Sequence, residues 1–224
     1  EGVMWGYFDG IGRVTRANPG SNSTRALQVD RLTFRLSAKI SESIELAVGH
    51  GQHHWGPGIR SLYIDRSMAP ASYVRLYGDV GVLHYTHLLV RTIHPREIND
   101  TIDIGWMASH MVDVHLGAGF TGSLFGGVKW RDQQDGINHR IEPAYLIPLV
   151  AFRPTEFSLG SPDNVLMGAQ LVWRGKGRSS GHKKTFYTQI LFDEFKIDNL
   201  MEGGWWANKW GVLSGGSLAS RSGK

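Results

Sequence analysis

Cysteine is absent from the 224 residues, which excludes a disulfide framework and any thiolate metal site. No stretch reaches the roughly 18 consecutive apolar residues of a membrane-crossing helix. The longest apolar stretch, 145–152, is cut by Pro148. Any membrane span must therefore be a β-barrel, the other structure that satisfies every backbone polar group in lipid. Neither sign of charge dominates: 24 basic residues stand against 20 acidic ones, interspersed, for a formal charge of +4. No basic tract suggests a nucleic-acid partner. The basic run at 174–184 reads as a solvated loop. There is no glycine-rich phosphate loop opening a helix, no HExxH, no nucleophile elbow, and no capping box before a long amphipathic helix. Only residues 59–70 suggest a short turn of helix.

Glycine (29) and tryptophan (8) are abundant instead. That composition suits all-β architectures built of many short strands. Period-2 alternation dominates the chain. In 31–40, RLTFRLSAKI, Leu32, Phe34, Leu36, Ala38 and Ile40 share one face, while Arg31, Thr33, Arg35, Ser37 and Lys39 share the other. Ten alternating residues is about the length of a membrane-crossing strand. In a barrel the apolar face meets lipid and the polar face a polar lumen. Segment 44–50 repeats the pattern after a tight Ser-Glu-Ser turn at 41–43. Further strands are expected at 3–15, 73–78, 80–91, 102–117, 118–131, 141–153, 164–174, 184–197 and 204–214. Polar stretches 131–140 and 174–184 suit either long barrel loops or ordinary surface loops. The expected fold is an all-β antiparallel meander, 1–224, forming part of a large transmembrane outer-membrane β-barrel. The chain opens at Glu1 without Met or a signal-peptide pattern and closes on a polar tail, so it is expected to be a piece lacking N-terminal and final strands.

Four segments, GHGQHHWGPGIRSLYI (49–64), EPAYLIPLVAFRPTEFSLGSPDN (142–164), YTQILFDEFKI (187–197) and GWWANKWG (204–211), occur in order. Together they resemble the capsule-assembly Wzi family, which includes the RemB-like gliding-motility proteins of Bacteroidetes. The resemblance implies a non-enzymatic outer-membrane barrel that binds, or helps assemble and anchor, capsular or extracellular polysaccharide at the cell surface. Its partners would be that polysaccharide and outer-membrane lipid, with no nucleic acid, cofactor or metal. Two rivals stay open: a porin-like channel for small solutes, and a soluble all-β carbohydrate-active enzyme.

The candidate glycan-binding or lumenal residues are Trp55, Arg60, Arg153, Tyr187, Gln189, Asp193, Trp205 and Trp206. Trp55, Gly56, Gly58 and Arg60 follow a strand, and the two glycines flank Pro57. They form either a shape-fixing turn or a ligand contact. Tyr187, Gln189 and Asp193 share the polar face of one strand; Asp193 is a candidate partner for Arg60 or Arg153. Adjacent Asp193 and Glu194 point to opposite faces, so they cannot flank one glycosidic bond. Arg153 and Glu156 could pair beside the Ser-Pro-Asp turn chemistry of 160–164. Of Trp205 and Trp206, one should face lipid and one the lumen, where it could stack on a sugar. The remaining tryptophans suit an interfacial girdle. His50, His53 and His54 cluster, but HxxH on a strand does not place both rings on one face. His84 and His115 read as lumen or interface residues.

Overall fold

The alternating segments form one antiparallel meander in the computed structural model, which describes residues 4–15, 26–95, 102–131, 133–134, 137–138, 164–176, 183–193 and 209–219. The strands are β1 (Met4–Thr15), β2 (Ala26–Ser41), β3 (Ile44–Gly51), β4 (Ala71–Val80), β5 (Leu83–Pro95), β6 (Ile102–Gly117), β7 (Phe120–Arg131), β8 (Gln133–Gln134), β9 (Ile137–Asn138), β10 (Asn164–Lys176), β11 (Lys183–Asp193) and β12 (Lys209–Ala219). Ten of them form one sheet in the order β1-β2-β3-β4-β5-β6-β7-β10-β11-β12, and β8 pairs only with β9. The sheet is open, with β1 and β12 at its edges. No helix occurs among the described residues.

Strand bounds differ from the sequence pattern in understandable ways. Gly81, at φ 62°, makes a tight turn with Val82, so β4 and β5 stop on either side of it. The helical turn expected within 59–70 is instead a run of bends and turns. Pairing extends β2 back to Ala26, and β12 runs to Ala219 rather than 214. The strand expected at 141–153 and residues 160–163 of the turn motif lie outside the described residues, and Asn164 opens β10.

Register carries the alternation across the whole sheet. One face presents Leu36, Val48, Val74, Val112, Leu124, Leu171, Phe186 and Val212. These side chains are exposed: Leu124 by 69% and Phe186 by 57%. The opposite face presents Ser37, Ser109, Ser123, Gln170 and Gln189, all buried; Gln189 is only 1% exposed. A soluble sandwich buries its apolar faces and solvates its polar ones. Here the order is reversed.

Two features interrupt the apolar face. At one end Ala108, Val128, Trp130 and Val165 are buried together, with Leu89 and Trp106 against them. Nearer its middle, His87 and His110 stand opposite each other with ring Nδ1 atoms 3.1 Å apart, and the Tyr85 hydroxyl lies 2.5 Å from the His110 Nδ1.

The polar face is covered by residues 52–70, the connection from β3 to β4. Ile64 packs on Leu88 and Val90, with Trp55, Tyr63, Tyr73 and Met107 around them. Each such buried apolar side chain contributes about 1.5–3 kcal/mol. The Tyr63 ring stacks on Phe125 with centroids 5.0 Å apart, and its hydroxyl lies 2.8 Å from Ser109 Oγ. This approach needs Gly127, where a Cβ would stand 1.8 Å from the Tyr63 hydroxyl. Gly127→Ala should therefore destabilise the protein by about 1–3 kcal/mol through overpacking. Adding Tyr63→Phe should recover part of that loss in a thermal-unfolding double-mutant cycle; purely additive losses would show that the two sites do not touch.

Candidate functional site

The insert 52–70 is closed at its base and anchored at its tip. Gln52 Nε2 donates to the Met68 carbonyl at 2.6 Å, and Trp55 N donates to the Ile64 carbonyl at 2.9 Å. At the tip, His54 Nε2 lies 2.8 Å from the Gly58 carbonyl. Gly56 has φ 128°, and a Cβ there would meet Gln189 Nε2 at 2.5 Å and Gln170 Oε1 at 3.0 Å. Glycine is thus required both by conformation and by close approach.

Two glutamines bind the insert to the wall. Gln189 Oε1 accepts from Leu62 N at 3.0 Å, while its Nε2 donates to the Trp55 carbonyl at 3.1 Å and to Gln170 Oε1 at 2.7 Å. Gln170 Nε2 in turn donates to Ser123 Oγ at 3.4 Å, and the Ser123 hydroxyl donates to Asp113 Oδ1 at 2.5 Å. One chain of hydrogen bonds therefore runs across β6, β7, β10 and β11 into the insert.

A second set of bonds shapes the insert itself. Asp65 is buried and accepts from Ser61 N and Ser67 N, each at 2.8 Å, and from Arg60 at 3.4 Å. The Ser67 hydrogen bonds hold its carboxyl well below the usual range, although burial opposes them. Burial raises the Tyr63 phenol above its ordinary value. Burial, then the nearby Arg75 and Arg35 cations, lower His53 from 6.5 to about 4.

Between the insert and the wall lies a chamber of about 510 Å³. Its lining includes Trp55, Arg75, His84, Asp113, His115 and Arg174. Most of these wall residues lie near the tight turns at 81–82 and 118–119. Arg75 shares Glu45 with Arg35, its own contact being 3.0 Å. His84 Nδ1 lies 3.1 Å from Asp79 and 3.2 Å from the Tyr77 hydroxyl, and its ring meets His115 edge-on at 4.6 Å. His115 Nδ1 lies 3.0 Å from Thr121 Oγ1. A second cavity, about 340 Å³ and largely apolar, lies on the other side of the insert against Ile64, Met68, Leu88, Val90 and Met107. No cluster of three potential metal-ligating His, Asp or Glu side chains is found among the described residues.

Several residues singled out from the sequence meet here. Trp55 and Gln189 are joined by a hydrogen bond, and Tyr187 lies beneath Gly58, whose Cβ would stand 2.3 Å from its hydroxyl. Arg60 is in the insert but solvent-facing, its side chain 70% exposed, and pairs with Asp65. Asp193 shares the polar face yet pairs with Lys209 at 3.7 Å, so the expected Arg60–Asp193 ion pair is not formed. The reason is local: the five-residue reach within the insert brings Asp65 to Arg60 before β11 can. Arg153, Trp205 and Trp206 lie outside the described residues, as does the Arg153–Glu156 pair. Gln170, Ser123, Asp113, Glu45 and Arg75 were not singled out. Gln170 had a signal, being the one polar side chain in VLMGAQLVW.

No protein-family model, curated protein or solved structure matches this chain.

Gln189→Leu keeps the volume but strands the Leu62 amide, the Trp55 carbonyl and Gln170. It should cost about 2–4 kcal/mol and expose the insert to limited proteolysis. Unchanged protease resistance would show that the insert is held by its apolar contacts alone. His53 is neutral when folded down to about pH 4 but protonates near 6.5 when unfolded. The unfolded chain thus takes up the proton first, and stability should fall as pH drops from 6.5 toward 4. His53→Gln should flatten that part of a stability-against-pH curve; an unaltered slope would assign it to other groups.

Proposed function

We propose that this chain forms the wall of an outer-membrane β-barrel of the Wzi type, which binds surface polysaccharide without catalysing a reaction. The observation that carries the reading is the reversed sheet, with exposed apolar side chains on one face and buried glutamines and serines on the other. Lipid is the solvent that stabilises such an apolar face, and a polar lumen is what the other face requires.

Two further features support it. On the apolar face Trp106 pairs with Trp130 at one end, and Phe120, Trp173 and Phe186 cluster at the other. The ten residues of β7 between Phe120 and Trp130 span about 33 Å. Tilted by about 40°, that is roughly the 25 Å band between aromatic girdles. The His87–His110–Tyr85 trio would sit within this band, its members hydrogen-bonded to one another through the His110 Nδ1.

Connections also differ between the two ends. Three at one end are two residues long (42–43, 81–82, 118–119), and 177–182 lies at that end. The opposite end carries 16–25, 52–70, 96–101, 132–163 and 194–208. Short turns mark the periplasmic end of such barrels and long loops the outer end.

Against the rivals, the insert crossing the polar face disfavours an open pore. A glycosidase needs two carboxyl groups around one bond, while among the described residues the larger chamber is lined by one, Asp113. An arrangement of arginines, amides, hydroxyls and a tryptophan suits binding.

Fractionation of cells expressing the protein tests this reading. It should require detergent, sediment with outer membranes and change gel mobility on boiling. Full solubility without detergent would overturn it. Because the chain lacks cysteine, sidedness has a clean test as well. Ala69→Cys should react with an impermeant maleimide on intact cells and Val82→Cys only after permeabilisation; the opposite pattern would invert the orientation.

A further inference from the structure

We infer that the 510 Å³ chamber beneath the insert is a binding site for an anionic glycan segment, one bearing carboxylates along an extended chain, as uronic-acid polymers do. The inference rests on the polysaccharide-binding reading and names the ligand chemistry that this site would select.

Charge is the first argument. Among the described residues, Arg75 and Arg174 line the chamber against a single carboxylate, Asp113, which is already engaged by the Ser123 hydroxyl. Arg75 does not lose its charge to Glu45, because Arg35 shares that same carboxylate. The triad therefore keeps an excess positive charge beside the chamber. A part-buried setting strengthens its field relative to open solvent.

Unmet hydrogen bonding is the second. Arg75 Nε, His53 Nε2 and His84 Nε2 are buried without a hydrogen-bond partner. All three side chains line this chamber. Buried polar atoms of this kind are costly unless something pairs with them. The Arg75 guanidinium carries five N–H donors and gives Nη2 to Glu45, and a carboxylated sugar offers carboxylate and hydroxyl oxygens together to such a group.

Shape is the third. Arg75 lies on β4 and Arg174 on β10, with three strands between them in the sheet. At about 4.8 Å per strand, the two strands are up to about 19 Å apart along the wall. A chain of several sugars is long enough to engage both arginines. The chamber also has a ring for stacking in Trp55 and neutral donors in Gln52 and Thr86. Its size falls within the range of small-molecule sites.

The test is binding of fluorescent oligogalacturonate to the full chain in detergent micelles, beside its methyl-esterified form and a neutral malto-oligosaccharide. The free acid should bind at least about tenfold tighter than the ester, the value of one charged hydrogen bond. Arg174→Gln should erase most of that preference and Arg174→Lys retain it, with unfolding temperature unchanged in both. Equal binding of acid and ester would overturn the anionic site while leaving the polysaccharide reading standing. Binding of none of the three sugars would overturn both. A preference for the acid that survives Arg174→Gln would remove the site from this chamber.

Discussion

The pairing of Gln189 with Gln170 is the interaction on which the interior depends. Two amides buried in the middle of a strand wall would each be costly alone. Together they satisfy one another, and their remaining donors and acceptors reach the insert backbone at Trp55 and Leu62 and the wall at Ser123. The glycine at position 56 exists to let the insert come that close. Once it is seated, Ile64 and Tyr63 find their apolar contacts, and the chamber acquires a roof. Polar satisfaction therefore fixes where the insert lies, and apolar burial supplies much of the stability that keeps it there.

This arrangement gives the two faces of the sheet different tasks. The outward face needs only to be apolar and bounded by aromatic rings. The opposite face pairs many of its amides, hydroxyls and charges through chains such as Asp113–Ser123–Gln170–Gln189 and Arg35–Glu45–Arg75. Groups committed to the network hold the architecture, while Arg75 Nε and His84 Nε2 are buried without a hydrogen-bond partner.

Much of the fold could be read from the sequence because a strand's period is local. The ten alternating residues of 31–40 and the apolar-polar beat of 44–50 each declare their two faces without reference to any partner. Turn chemistry placed the hairpin at 41–43, whereas the turns at 81–82 and 118–119 were read as strand. The insert was less visible: Gly-Pro-Gly announced a turn, but nothing local tells 59–70 to fold inward as bends instead of a helical turn. That choice is made by Gln189, more than a hundred residues away. The same limit explains the ion pairs. Arg60 and Asp193 were each recognisable as charged residues near a polar face, yet their partners, Asp65 and Lys209, are decided by which carboxylate or amine the backbone delivers first. Gln189 and Trp55, both singled out from the sequence, meet through a hydrogen bond. Gln170, their shared partner, carried a signal that only a search for lone polar residues in apolar strands would find.

The central claim is that neighbouring side chains of one strand face lipid and a sealed polar interior alternately. Spin labels at Ser123→Cys and Leu124→Cys, and at Gln170→Cys and Leu171→Cys, in protein reconstituted into bilayers, would measure it by their collision rates with oxygen and with a water-soluble nickel chelate. Positions 124 and 171 should be oxygen-accessible and shielded from nickel, whereas 123 and 170 should be poorly accessible to both. Nickel collisions at 124 and 171, with no alternation along the strand, would place the apolar face in water and contradict the account.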